Sequence, residues 1–571
     1  MELVAEAPSA VVAEVATIGA DHTAATRALQ IDWGGALRGR LGVALAAFVV
    51  GVAACVFSSS HGLMFLYADA RSHLTIARRL IDGQNHGIVQ LGTVWLPLPH
   101  LLLTPFVAFR ALWHNGWAAA PVGIIALMVE AVSVFAIVVR LVRSRLAGGV
   151  AVILLLSNPS ILYMHTTALT EPVLFAAMLL TVATLVRWAT SAKVYSGGEI
   201  AVFCGLPAAA TVLGRYDGWA FVFAAAAVVF VVAWQRWGSL GYALRVTRSF
   251  AVLPAIAALW WMWFNWINFG DPLEFQRGRY SAQAQQALLE SEGRLPDKGD
   301  LVRSVDTYSS SVLRASGWLL LALAAVGGAV WIVRHVRQRH RSELLVPWLL
   351  VLVPFGFYVL SLFTGQVALR LKTTADDSMF NLRYGVEMLL GLVVFAGIAV
   401  DAIRVWIRQR VGSDPRRLRL TLLSTGWVVL AALVVGQSSS WGGWRNVGVV
   451  KEGFAQRAAG VGQYAAAEWM HDNALDGIIL IDDSINPMLP VIDADLDRVA
   501  APFSGNRWDN ALVDPSTVDW VYIDTANPFD EVGTAARTDR FFAAQFELRF
   551  SSGNAEVYQR RTNVSPGEDR S

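Results

Sequence analysis

Long runs of uncharged, apolar residues recur along most of this chain, and no other feature limits its fold so strongly. A helix needs roughly 20 such residues to cross about 30 Å of hydrocarbon. Runs near residues 41–58, 119–141, 148–163, 172–189, 199–213, 218–235, 249–268, 316–334, 344–364, 384–404 and 419–437 predict about eleven spans. Composition agrees: 16% of the 571 residues are charged, 55% are apolar, and mean hydropathy is +0.47. A soluble domain is nearer one quarter charged. The expected fold is a polytopic α-helical membrane protein. A net charge of +2 argues against a nucleic-acid partner. Cys55 and Cys204 fall inside apolar runs, so no disulfide framework and no cysteine metal site is readable.

The basic residues set the expected orientation. The stretch Trp95 to Phe109 is apolar but short, and holds Pro97, Pro99, His100 and Pro105. Laid along the outer surface rather than across the membrane, it leaves the main basic clusters on one side. These are Arg38/Arg40, Arg140/Arg143/Arg145, Arg187/Lys193, Arg236/Arg245/Arg248, Arg334/Arg337/Arg339/Arg341 and Arg404/Arg408/Arg410/Arg416/Arg417/Arg419. Residues 1–40 then form a cytoplasmic polar tail. They hold Glu2, Glu6, Glu14 and Asp21 and lack the apolar core of a signal peptide. Residues 41–437 form the transmembrane domain, and 438–571 lie outside the cytoplasm.

That last region reads as a small α/β domain. Residues 461–473 have a helical apolar period, and Gly477-Ile478-Ile479-Leu480-Ile481 and Val518 to Asp524 read as strands. Phe546 to Phe550 and Ala555 to Tyr558 read as a hairpin across Ser551-Ser552-Gly553-Asn554. Asp482 and Asp483 follow a strand, a common ligand position in open sheets but more often an ordinary turn or cap position.

The chemistry is expected on the outward face. Tyr67-Ala68-Asp69-Ala70-Arg71-Ser72-His73 follows the first span, and an ionisable group at a membrane boundary needs solvation or a partner. Glu171 and Asp217 recur on the same side, with Arg71, Arg215, Arg277, Arg279, Lys372 and Arg383. Outward arginines oppose the orientation rule, and a guanidinium fork suits a phosphate. A carboxylate beside bound phosphate suggests group transfer, with Asp69 taking the proton of an attacking hydroxyl. A transporter or flippase for a lipid-linked anion meets much of the same description, although no internal repeat is visible. No metal-ligand spacing stands out, so no cofactor is assigned and a metal is left open.

Four short motifs resemble the GT-C superfamily of membrane glycosyltransferases, near its protein O-mannosyltransferase and aminoarabinose transferase branch. They are Tyr67-Ala68-Asp69-Ala70, the surface stretch from Trp95 to Leu102, Ala168-Leu169-Thr170-Glu171-Pro172, and Phe380-Asn381-Leu382-Arg383-Tyr384 with Gly270 to Phe275 before it. The resemblance covers residues 41–437. It implies transfer of a sugar from a polyprenyl-phosphate donor to a glycan, lipid or protein hydroxyl on the outer face, with inversion. Asp69 would be the base and Glu171 a second acid, with Arg383 and Tyr384 at the donor phosphate. Arg71, His73, His100, Arg215, Asp217, Arg277, Arg279 and Tyr280 complete the expected substrate-binding set. The chain lacks the Trp-Trp-Asp motif of oligosaccharyltransferases and has Asp69-Ala70-Arg71 where adjacent acids are often found.

Overall fold

The fold is that of a computed structural model, which describes residues 33–278, 281–338, 342–372, 379–411, 443–474, 476–539 and 542–561, with scattered positions between 420 and 437. The first span, α1 (Trp33–Ser60), is followed by two short helices, α2 (Ala68–Arg79) and α3 (Pro97–Val107). Then come α4 (Ala119–Val142), α5 (Arg145–Leu156), α6 (Pro159–Met164), α7 (Glu171–Ala189), α8 (Gly197–Gly214), α9 (Asp217–Trp237) and α10 (Leu240–Phe269). The last spans are α11 (Trp318–Arg337), α12 (Ser342–Phe363) and α13 (Leu382–Arg410). Among the described residues nine helices are long and apolar enough to cross a membrane: α1, α4 and α7 to α13.

The expected span 148–163 is instead divided between α5 and α6, and the sequence supplies the reason. Pro159 has no N–H to continue a helix, and Asn158 before it accepts from the backbone N–H groups of Ser160 and Ile161 at 3.0 and 3.1 Å. The run 419–437 lies largely outside the described residues. At 11 residues, α3 is about 16 Å long, too short to cross.

The spans pack closely where glycine removes a side chain. A Cβ on Gly123 of α4 would lie 1.9 Å from the His165 carbonyl oxygen. One on Gly327 of α11 would lie 1.8 Å from the Phe395 carbonyl oxygen on α13. Leu41, Leu45, Phe48 and Val49 of α1 stay exposed, as expected where the solvent is hydrocarbon. Helix α7 shows the sidedness in one element. It opens on Glu171, and 19 residues later, about 28 Å away, basic groups from other helices close it. Arg140 donates to the Thr190 hydroxyl at 2.7 Å, and Arg236 donates to the carbonyls of Trp188 and Ala189 at 3.2 and 3.1 Å.

The C-terminal region is a small α/β unit. Helices α14 (Gly448–Ala459) and α15 (Val461–Asn473) lead into a five-stranded sheet in the order β2-β1-β3-β5-β4. The strands are β1 (Ile479–Leu480), β2 (Val499–Ala500), β3 (Trp520–Asp524), β4 (Phe546–Ser552) and β5 (Ala555–Arg560). The first three are parallel, and the β4–β5 hairpin joins β3 antiparallel. Strand β2 is the one the sequence does not announce, since Val499–Ala500 lacks the apolar run that surrounds β1.

This unit sits against the loops that follow α1. Arg71 donates to the carbonyls of Phe65 at 2.6 Å and Pro487 at 3.0 Å, and also to the Tyr464 hydroxyl. The Asn85 amide donates to the Ser504 carbonyl at 2.9 Å, and the Tyr67 hydroxyl to the Val449 carbonyl at 2.8 Å.

Asp483, at the joint, is buried with one carboxylate oxygen unpartnered. Burial pushes its pKa up to about 7; Arg79 opposes the rise and Asp482 adds to it. The folded state therefore binds the proton more tightly than the unfolded chain, whose Asp titrates near about 3.9. The stability this group contributes is full below that value and is lost as pH rises through about 7. Asp483→Asn is expected to flatten this slope. Thermal unfolding of the full chain at about pH 5 and about pH 8 checks it, and an equal fall in Tm for both proteins would reject it.

Candidate active site

Helix starts assemble the site. The N-terminus of a helix carries partial positive charge and unpaired N–H groups, and so favours a carboxylate. Asp69 lies in the first turn of α2, Glu171 opens α7 and Asp217 opens α9. Arg215 stands in the extended link before α9, and Arg383 in the first turn of α13.

Packing brings these five groups into one alternating chain of charge. Arg383 Nη2 donates to Asp69 Oδ2, and Arg383 Nε lies 3.2 Å from Glu171 Oε1. Arg215 Nη1 donates to the same Glu171 oxygen at 3.0 Å and to the Thr170 hydroxyl at 3.0 Å. Arg215 Nε donates to Asp217 Oδ2 at 3.2 Å. The Tyr384 ring lies beneath both guanidiniums, at 5.8 Å from Arg383 and 5.7 Å from Arg215, and Tyr67 meets Arg383 at 5.4 Å. Glu171, Asp217 and Arg383 are buried, whereas the Asp69 side chain is 36% exposed. The chain of charge therefore opens to its surroundings at Asp69.

Electrostatics favour the charged forms of Asp69 and Arg215. Burial opposes ionisation of Asp69, but Arg383, with His73 and Arg215, holds its pKa below the usual carboxylate range. Burial also opposes the charge on Arg215, and Glu171 and Asp217 outweigh it, so its pKa stands well above the ordinary value.

The histidines form a neutral pair beside this chain. Burial pushes His73 down to about 4 against the pull of Asp69 and Glu171. His100 Nδ1 lies 3.1 Å from the Leu96 carbonyl, which can only accept, so the proton sits there. His100 Nε2 then accepts from His73 Nδ1 at 2.9 Å, leaving His73 Nε2 with a lone pair.

Not every expected residue joins. Arg71 is buried and turned to the C-terminal unit. Arg277 is largely exposed and lies 3.6 Å from Asp271. Arg279 and Tyr280 lie outside the described residues, and Lys372 is exposed.

Three further participants emerge from the packing. The Tyr358 hydroxyl lies 2.7 Å from Asp217 Oδ2 and 3.2 Å from Glu387 Oε2, extending the network into α12 and α13. Glu452 of α14 is fully buried, and its two oxygens accept from the backbone N–H groups of Asn381 and Leu382 at 2.8 Å each. Glu387 leaves a trace in sequence, as an acid one turn after Arg383 in an apolar run. Tyr358 and Glu452 leave none, because one sits among ordinary aromatics and the other in an amphipathic stretch.

No family model matches the chain, and no curated protein matches it. Solved structures do. ArnT from Cupriavidus metallidurans, solved bound to undecaprenyl phosphate, superposes with a TM-score of 0.53 at 12% identity, covering 94% of this chain and 100% of that one. The archaeal oligosaccharyltransferase AglB from Archaeoglobus fulgidus, in complex with an inhibitory peptide and a dolichol-phosphate, gives a TM-score of 0.47 at 13% identity. That superposition covers 92% of this chain and 75% of AglB. The superposition on ArnT spans nearly the whole chain, membrane helices and C-terminal unit together, and shows that the two share a fold.

Proposed function

We propose that the chain is a glycosyltransferase that moves a sugar from a polyprenyl-phosphate donor to an acceptor hydroxyl at the outer face of the membrane. The observation that carries this is the charge chain Asp69–Arg383–Glu171–Arg215–Asp217, with its one open end at a carboxylate. The fold supports it, and so does the undecaprenyl phosphate bound to ArnT. The separation of acids and cytoplasm-type basic groups at opposite ends of α7 supports the outer face.

Arg383 is the phosphate ligand in this reading. Its planar fork can engage two phosphate oxygens, and the donor phosphate competes for it with the exposed Asp69. Once displaced, Asp69 has lost its counter-ion while Glu171 and Asp217 remain, so its proton affinity rises. The acceptor oxygen then attacks the anomeric carbon as its proton passes to Asp69. The bond from that carbon to the phosphate oxygen breaks, and the phosphate leaves with the electron pair, held by Arg383 and Arg215. One displacement from the far side inverts the anomeric centre. The acceptor is a hydroxyl-bearing glycan, lipid or protein that reaches the open end.

Glu452 acts here as a positioning residue. Its carboxylate holds two consecutive N–H groups at the left-handed turn of Asn381, φ +60°, immediately before Arg383.

Asp69→Asn keeps the shape and removes the base. Turnover by detergent-purified protein, given a polyprenyl-phosphate sugar, is expected to fall about 10²–10⁴-fold with unchanged yield. Undiminished transfer rejects the role, and no transfer by the unaltered protein with any such donor favours a carrier of lipid-linked anions. Glu452→Gln turns one acceptor into a donor facing an N–H. The donor KM should rise about tenfold, with kcat changed less, which corresponds to an unsatisfied group costing ~1–3 kcal/mol. Unchanged KM and kcat would exclude the positioning role.

A further inference from the structure

We propose that His114, His471 and Asp493 form a zinc-type cation site that ties the membrane domain to the C-terminal unit. One ligand atom from each residue lies within 4.8 Å of the other two. The three come from separate segments. His114 ends the short helix Arg110–His114 beyond α3, His471 lies in the last turn of α15, and Asp493 ends the turn Leu489–Ile492. All three are half-buried.

The imidazoles are set up for a metal. His114 Nδ1 lies 3.0 Å from the Pro490 carbonyl and His471 Nδ1 3.3 Å from the Ile492 carbonyl. A carbonyl only accepts, so each Nδ1 carries the proton and each Nε2 keeps its lone pair. A metal-bound histidine is typically held in this way, its outer N–H tied to a carbonyl or carboxylate that fixes the ring. The two rings lie together, with centroids 4.7 Å apart and planes 15° apart.

Asp493 supplies the negative charge. It holds φ at +56°, a left-handed conformation that only a few per cent of non-glycine residues adopt. Arg110 Nε donates to its Oδ1 at 2.9 Å, leaving Oδ2 for a cation. Two imidazoles and one carboxylate oxygen, with a fourth position for water, match zinc. Calcium and magnesium prefer six or more oxygens and find too few here. Zinc bonds of about 2.0–2.2 Å require the three side chains to close in by a rotamer adjustment.

The test uses the full-length, tag-free protein in detergent, stripped with a chelator and titrated with zinc, and with cobalt as the spectroscopic probe. One ion per chain is expected, with a rise in Tm. His114→Asn and His471→Asn should each weaken binding by at least about tenfold while the metal-free Tm matches the unaltered protein. No stoichiometric binding, or binding unchanged in both variants, overturns the site. Should either variant fail to fold, X-ray absorption of the zinc-loaded unaltered protein decides. Imidazole scattering from two histidines sustains the site, and a shell without it overturns the site.

Discussion

Arg383 is the constraint on which the site depends. A guanidinium this deeply buried is costly unless carboxylates face it, and removing one partner of such a pair typically costs about 3–5 kcal/mol. Asp69 and Glu171 meet that need from two different helix starts, and Arg215 then compensates Glu171 and Asp217. Because the groups alternate in sign, each buried member depends on the neighbours of opposite charge beside it. The network thus links α2, α7, α9 and α13 through their first turns. A separate buried pair, Glu130 with His165 at 2.8 Å, ties α4 to the link after α6 in the same way.

The C-terminal unit belongs to this arrangement rather than hanging beside it. Glu452 reaches into the membrane domain to hold the turn that presents Arg383, and Tyr67, at the other side of that guanidinium, bonds the Val449 carbonyl. Arg71 is fastened to Pro487 and Tyr464, so the helix carrying Asp69 is braced from outside. Arg71, two positions from Asp69, therefore serves the joint, while the residue that holds the turn before Arg383, Glu452, comes from the C-terminal unit.

How far the sequence is legible follows from the range of each interaction. Apolar runs report a local condition, the solvent around one helix, and most expected spans coincide with helices. Strands β1, β3, β4 and β5 are also local patterns and stand where expected, while β2, Val499–Ala500 after Asp497-Arg498, has no apolar run to mark it. The break at Asn158-Pro159 is readable in principle, since a cap and a missing N–H are local features. Arg71 and Arg383 are indistinguishable by residue type, both outward arginines near an acid. Only their surroundings separate them, one against carbonyls of the C-terminal unit and one against two carboxylates.

Residue order is enough to establish that the chain is built of helices long and apolar enough to span a membrane, and that a polar sheet-bearing unit follows them. These are consequences of solvation, which each segment carries in its own composition. Which ionisable groups share a site is fixed at the level of helix packing. Asp69, Glu171, Arg215, Asp217 and Arg383 are scattered from residue 69 to 383 and meet only there. Charge pairing acts over a few ångströms in space, and no spacing along the chain encodes it.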